Sequence, residues 1–137
     1  MTVTHFTLAY WCVLIAALLP LLCSMVAKRP GPSATDKKDK FDNNNPRAWL
    51  ARQTDWRARA NAAQANSFEA LPFFIGAVII AHQLGTPQAR VDVMAFLYIV
   101  LRLMYITFYV GGLASLRSLS WGLALAVNIA ILLSGYR

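Results

Sequence analysis

Charged side chains are scarce in this chain. Asp, Glu, Lys and Arg make up 14% of it, against 58% for hydrophobic types; soluble domains carry about 25% charge, so an ordinary water-soluble fold is excluded. Cysteine is nearly absent. Cys12 and Cys23 fall inside one apolar run, where a disulfide framework has no reason to form, and are expected as buried free thiols acting as small apolar residues. The two histidines, His5 and His82, have no metal-ligand spacing. No metal site is expected. No positive charge precedes the first apolar run and no small-residue cleavage site follows it, so it reads as a retained span and not a signal peptide.

What is present is length of apolar run. Spans are visible at His5 to Ala27, Phe68 to Leu84 with a long polar lead-in, Pro87 to Val110 and Leu116 to Gly135, each long enough for about 30 Å of hydrocarbon, the second only barely by its apolar part. The expected fold is an all-α integral membrane protein, one domain over residues 1–137, built as a bundle of four transmembrane helices at about 5–27, 46–84, 87–110 and 116–135. Nine of the thirteen Lys and Arg lie between Lys28 and Arg59, and clustered basic charge beside a span marks the cytoplasmic side. The formal charge of +7 therefore reads as topology and not as a nucleic-acid partner. Both termini are expected on the non-cytoplasmic side of what is taken to be a bacterial inner membrane. The segment 28–45 is rich in Pro, Gly, Asn and mixed charge, as exposed loops are; contact with anionic lipid through Lys37, Lys38 and Lys40 is the lesser reading. Asn45 before Pro46 is a helix-start signal. From Pro46 a single helix to Leu84 would be roughly 58 Å long, so its first turns should stand in the cytoplasm.

The chemistry concentrates in the second and third helices. At about 100° per residue, Arg52, Asp55, Arg59, Ala62, Asn66, Glu69 and Phe73 fall on one stripe, with Arg57 and Gln64 opposite. Glu69 sits just inside the apolar part, where a carboxylate costs several kcal/mol unless paired or wet, roughly. In the third span Tyr98, Arg102, Tyr105 and Tyr109 share a face within about 60°. One buried charge of each sign in adjacent spans predicts a Glu69–Arg102 ion pair. Arg117, in the first turn of the last helix, adds its charge to the positive end of the helix dipole, which favours an anion there. Asn128 is expected to make an interhelical hydrogen bond.

Ala63, Gln64, Asn66, Glu69 and Pro72, in the order AQxNxxExxP, resemble the second-helix signature of the membrane-associated proteins in eicosanoid and glutathione metabolism, the MAPEG family that includes microsomal glutathione transferases. Arg102, Tyr105 and Tyr109 followed by Arg117 resemble that family's third-helix motif and the arginine opening its fourth. The resemblance covers nearly the whole chain. It implies a homotrimer in the lipid bilayer with glutathione held between subunits as co-substrate, and a lipophilic second substrate entering from the bilayer. By position, Asn66, Glu69, Tyr105, Tyr109 and Gln64 would contact or frame glutathione, Arg102 would brace Glu69, and Arg117 would be the catalytic residue that activates the thiol. Ala62 departs from the pattern: several branches carry an arginine there for a glutathione carboxylate. Arg59, one turn earlier on the stripe, is the expected substitute. The spacing from Tyr109 to Arg117 also differs by one residue from the leukotriene-synthase branch.

The expected function is a glutathione-dependent transferase or peroxidase acting on lipophilic electrophiles or hydroperoxides. The alternative is a non-catalytic lipid-binding or accessory protein on the same fold. A four-helix proton-coupled exporter is a third reading, opposed by Arg102, which would repel a cation beside Glu69.

Overall fold

The computed structural model describes residues 5–31 and 40–136. Lys37 and Lys38, named above as lipid contacts, lie outside the described residues. Among the described residues the chain forms α1 (Leu8–Ala27), α2 (Pro46–Ala51), α3 (Trp56–Gln83), α4 (Gln88–Val110) and α5 (Ala114–Leu133). α1, α3, α4 and α5 are each long and apolar enough to cross a membrane, and the protein is an all-helical, multi-pass integral membrane protein. α1 lies chiefly against α3 and α5 chiefly against α4, with α3 and α4 between them.

Small side chains set this packing. Ala9, Cys12, Ala16, Ala77, Ala81 and Ala95 are buried where helices meet, which lets backbones approach closely when lipid supplies no hydrophobic drive. The main large contact in that core is Phe74 stacked on Tyr98, with ring centroids 4.1 Å apart. The outer faces carry Leu14, Leu18, Met25, Phe96, Leu119 and Leu123, all exposed. Cys12 and Cys23 are buried free thiols.

The helix expected over 46–84 is broken. α2 ends at Ala51, and α3 starts after Asp55, whose backbone is extended and whose carboxylate accepts the Arg57 N–H at 2.9 Å. A short acidic side chain offers the backbone this local bond in place of continued helix, and its charge suits the positive helix end. Arg57 folds back onto the same carboxylate, Nη2 to Oδ2 at 2.9 Å, and this bonding holds the Asp55 carboxyl below the usual carboxylate range. Arg52 therefore lies outside α3 and off the stripe. Arg57 is buried, its guanidinium 5.5 Å from the Trp49 ring and close against Gly31, where a Cβ would stand 3.1 Å from Cζ. Those contacts fasten α2 to the base of α3.

α3 and α4 both end on a glycine in the left-handed region, Gly85 at φ 72° and Gly112 at φ 76°. The amides that follow reach back five residues: Thr86 donates to the Ala81 carbonyl at 3.1 Å and Leu113 to that of Phe108 at 2.9 Å. This closure satisfies carbonyls that a helix end otherwise leaves open, and it favours glycine. Ser115, a residue type that often caps helices, is not the cap of α5, which begins at Ala114. At the opposite end of the bundle, Asp92 of α4 accepts the Ala9 N–H at 2.8 Å and so caps α1 from outside. Gln88 donates to the same oxygen at 2.7 Å. His82 belongs to this end: one ring nitrogen bonds the Val78 carbonyl at 2.7 Å and Tyr10 stacks on the ring at 4.6 Å.

Candidate functional site

The repeat of Tyr98, Arg102, Tyr105 and Tyr109 brings one face of α4 against α3 and the start of α5. Arg102 is 3% exposed, and its Nη2 donates to Asn66 Oδ1 at 2.9 Å and to Ser67 Oγ at 3.3 Å. Its guanidinium lies 4.3 Å from the centre of the Tyr105 ring. Tyr105 meets Tyr109 edge-on at 5.6 Å, and the Arg117 guanidinium stands 4.6 Å over Tyr109. The result is a stack running from one cation through two phenol rings to another. Ring faces are electron-rich, so they offset part of the cost of placing guanidinium groups away from bulk water.

The Glu69–Arg102 ion pair is not formed. The one ion pair within 4.0 Å among the described residues is Arg57–Asp55. The reason is which side of α3 faces α4. Ala63 and Ser67 are buried on that side, and Arg102 takes the acceptors it meets there, whereas Glu69 is exposed on the outward side next to exposed Phe68. Arg102 braces Asn66, not the carboxylate.

Two cavities open along the stack. One, of about 240 Å³, is lined by Asn66, Tyr105, Tyr109, Arg117, Ser118 and Trp121. The other, of about 220 Å³, reaches from Asn66, Glu69 and Arg102 to Asn128 and is otherwise mostly apolar. Asn66 and Trp121 line both. The structure thus gathers Asn66, Tyr105, Tyr109 and Arg117 around one space, with Glu69 and Arg102 on the adjoining one. Gln64 and Arg59 line neither. Gln64 is half-buried on another side of α3. Arg59 Nε donates to the Val110 carbonyl at 3.0 Å, placing its charge at the C-terminal end of α4, where the helix dipole favours a cation.

Ser67, Ser118 and Trp121 were missed by sequence reasoning. Trp121 had a usable signal, since it stands four residues after Arg117 and so on the same helix face. Ser67 had none, because its role depends on the side of α3 that α4 covers.

A cationic mouth lined by phenols and an amide suits a small polar anion, and the apolar extension beside it suits a greasy group. The fold and this double cavity define the protein as a four-span membrane protein with an open cation–aromatic cleft formed by α3, α4 and α5. A model of the MAPEG family matches residues 8–136, essentially the whole chain, and the protein belongs to that family. No similar curated protein and no similar solved structure was found.

Proposed function

We propose that the protein is a glutathione-dependent transferase or peroxidase of the membrane, acting on lipophilic electrophiles or hydroperoxides. The observation that carries this reading is Arg117 held over Tyr109 at the edge of a cavity lined by Asn66 and Tyr105. A thiol placed there gains a cation beside it, and a nearby opposite charge lowers a pKa by about 1–3 units. The thiolate is the nucleophile. It attacks an electrophilic carbon to form a C–S bond as the carbon's bond to a leaving group such as halide breaks, or as an epoxide C–O bond opens and its oxygen takes a proton. With a hydroperoxide it attacks the terminal oxygen, cleaves the O–O bond and releases the alcohol, while a second thiol resolves the resulting sulfenic acid as a disulfide.

A homotrimer fits two features that one chain leaves unexplained. Glu69 stands exposed at the open edge of the cavity it lines with Arg102, and a carboxylate at that depth faces protein or a wet cavity far more often than lipid. Gln64 lies away from the cavities and would serve a neighbour's site. In this reading the segment 28–45 and the turn at Gly111 and Gly112 face the cytoplasm, and both termini lie across the membrane.

The test is conjugation of glutathione to a generic aromatic electrophile by the purified full chain, wild type and Arg117→Ala, as a function of pH. The loss in the variant should be about 10- to 1,000-fold below the free thiol's pKa of about 8.5 and should shrink as pH rises above it, because the arginine acts by lowering that pKa. A rate that is unchanged in Arg117→Ala at all pH values removes the role given to that residue.

A second reading, a non-catalytic lipid-binding or accessory protein, is favoured by Ala62. That position supplies no cation, and the Nε of Arg59 one turn earlier is committed to Val110. Calorimetry with glutathione separates the two readings, since absence of binding heat with the folded wild-type chain favours the accessory role.

A further inference from the structure

The residues of α5 that line the two cavities are Arg117, Ser118, Trp121, Ala124, Leu125 and Asn128. At about 100° per residue they cover an arc of roughly 120° with Trp121 at its centre, while the exposed Leu119 and Leu123 lie on the far side of the helix. Trp121 therefore stands on the cavity side of α5 and not on its lipid side. It is 45% exposed, and it alone on this helix lines both spaces. The interhelical bond expected of Asn128 is not made through its Oδ1, which has no hydrogen-bond partner among the described residues.

The rings around the cleft are of two kinds. Tyr98 is stacked on Phe74, Tyr105 is engaged by Arg102 and Tyr109, and Tyr109 by Arg117. Trp121 on α5 and Phe73 on α3 line the apolar cavity, and neither meets another ring or a cation among the described residues. Trp121 thus brings an unengaged indole to the place where the two spaces join. A flat ring laid on such a face gains more than its buried area alone gives.

Size and charge narrow the ligand. A dry cavity of about 150 Å³ takes up benzene, so a space of about 220 Å³ holds one ring with a small substituent. Glu69 and Arg102 both line it. An anionic group would meet the carboxylate and a cationic group the guanidinium, so a neutral ligand is the one that neither repels. The indole face is electron-rich. A ring made electron-poor by withdrawing substituents stacks on it best, and the same substituents open a ring carbon to attack by a thiolate. Trp121 stands one helical turn from Arg117, roughly 6 Å along the axis, so a ring laid on it lies beside the place given to the sulfur.

We propose that Trp121 is a specificity residue, whose indole stacks on a flat, neutral, electron-poor ring of the second substrate and so favours it over an aliphatic group of the same size. That the ring belongs to a second substrate rests on the glutathione reading above; the preference of the cavity for a flat ring does not. Trp121 acts in binding and takes no part in bond making.

The test is equilibrium dialysis of the full chain in phosphatidylcholine nanodiscs, without glutathione and with empty nanodiscs as the blank for partition into lipid. Two neutral probes of nearly equal size are compared, benzonitrile with a flat electron-poor ring and cyclohexanecarbonitrile with a saturated one. The wild type should bind benzonitrile about 2- to 10-fold more tightly, the ratio that one aromatic stack provides. Trp121→Leu should bring that ratio to about one while still binding cyclohexanecarbonitrile, and Trp121→Phe, which keeps a ring, should keep a preference. Equal binding of the two probes by the wild type, or binding of neither, overturns the proposal. So does a preference that survives in Trp121→Leu or is lost in Trp121→Phe. A changed oligomeric mass of Trp121→Leu in native mass spectrometry also overturns it, because the indole would then pack against a second copy of the chain. If Trp121→Leu does not fold, the wild-type ratio and Trp121→Phe still decide. A wild type with the expected ratio but no binding heat with glutathione would refute the transferase reading and leave the ring subsite standing; Arg117-dependent conjugation in a protein that binds both probes equally would do the reverse.

Discussion

Arg102 is a buried cation whose direct partners are all neutral: an amide oxygen, a hydroxyl and a ring face. Removing one member of a buried ion pair strands the other and costs about 3–5 kcal/mol, but no carboxylate would be stranded here. Arg102→Met, which keeps most of the volume, should therefore change thermal stability by less than about 1.5 kcal/mol, as volume-conserving core exchanges do. Arg102→Ala should cost about 2–5 kcal/mol through the cavity it leaves, so the two variants separate packing from charge in a thermal melt. A loss in Arg102→Met as large as in Arg102→Ala would mean that the charge itself holds the bundle. The shared face of Tyr98, Arg102, Tyr105 and Tyr109 was legible in the sequence because helical spacing alone fixes it. The partner of Arg102 was not. Two opposite charges in adjacent spans suggest a pair, but Asn66, Ser67 and Glu69 occupy successive directions around α3, and only the packing angle decides which of them α4 meets.

Helix ends in this protein are closed by acidic side chains placed in two different ways, one local and one across the bundle. Asp55 caps α3 and is ion-paired to Arg57. Its folded-state pKa is depressed, so the stability it contributes is present above the ordinary aspartate value of about 3.9 and is lost as pH falls through the lower folded value. Thermal melts taken at falling pH should show this loss in the wild type. Asp55→Asn, which keeps a capping oxygen but cannot titrate, should lack that component, and an identical acid dependence in the two proteins would refute the assignment. Asp92 holds the first turn of α1 from α4. Asp92→Ala should cost about 1 kcal/mol and speed amide hydrogen exchange at residues 8–10 without touching the base of α3; unchanged exchange there would mean that Thr7, whose Oγ1 accepts the Tyr10 N–H at 3.2 Å, suffices as the cap. The break before α3 had a sequence signal in Thr54 and Asp55, an acceptable cap pair. It was hidden by the absence of any Pro or Gly between Arg47 and Pro72 and by polar residues that continue the helical stripe through the gap. The glycine stops at Gly85 and Gly112 were legible because the required backbone conformation all but names the residue.

At the scale of the whole molecule, membership of the MAPEG family and four membrane-crossing helices were legible from hydropathy and a few spaced motifs, since apolar length is a one-dimensional property. How the site is completed was not. Ala62 and the commitment of Arg59 to Val110 leave Arg117 as the cation that lines the small polar cavity, and the carboxylate of Glu69 stands exposed on the outward side of α3. Whether the protein holds glutathione as its thiolate can be read directly from the ultraviolet thiolate absorbance of glutathione added at neutral pH to the purified protein. The expected result is a saturable rise approaching one thiolate per occupied site, absent in Arg117→Ala. No rise at a glutathione concentration that calorimetry shows to be saturating, or an equal rise in Arg117→Ala, would contradict the central claim that Arg117 activates the bound thiol.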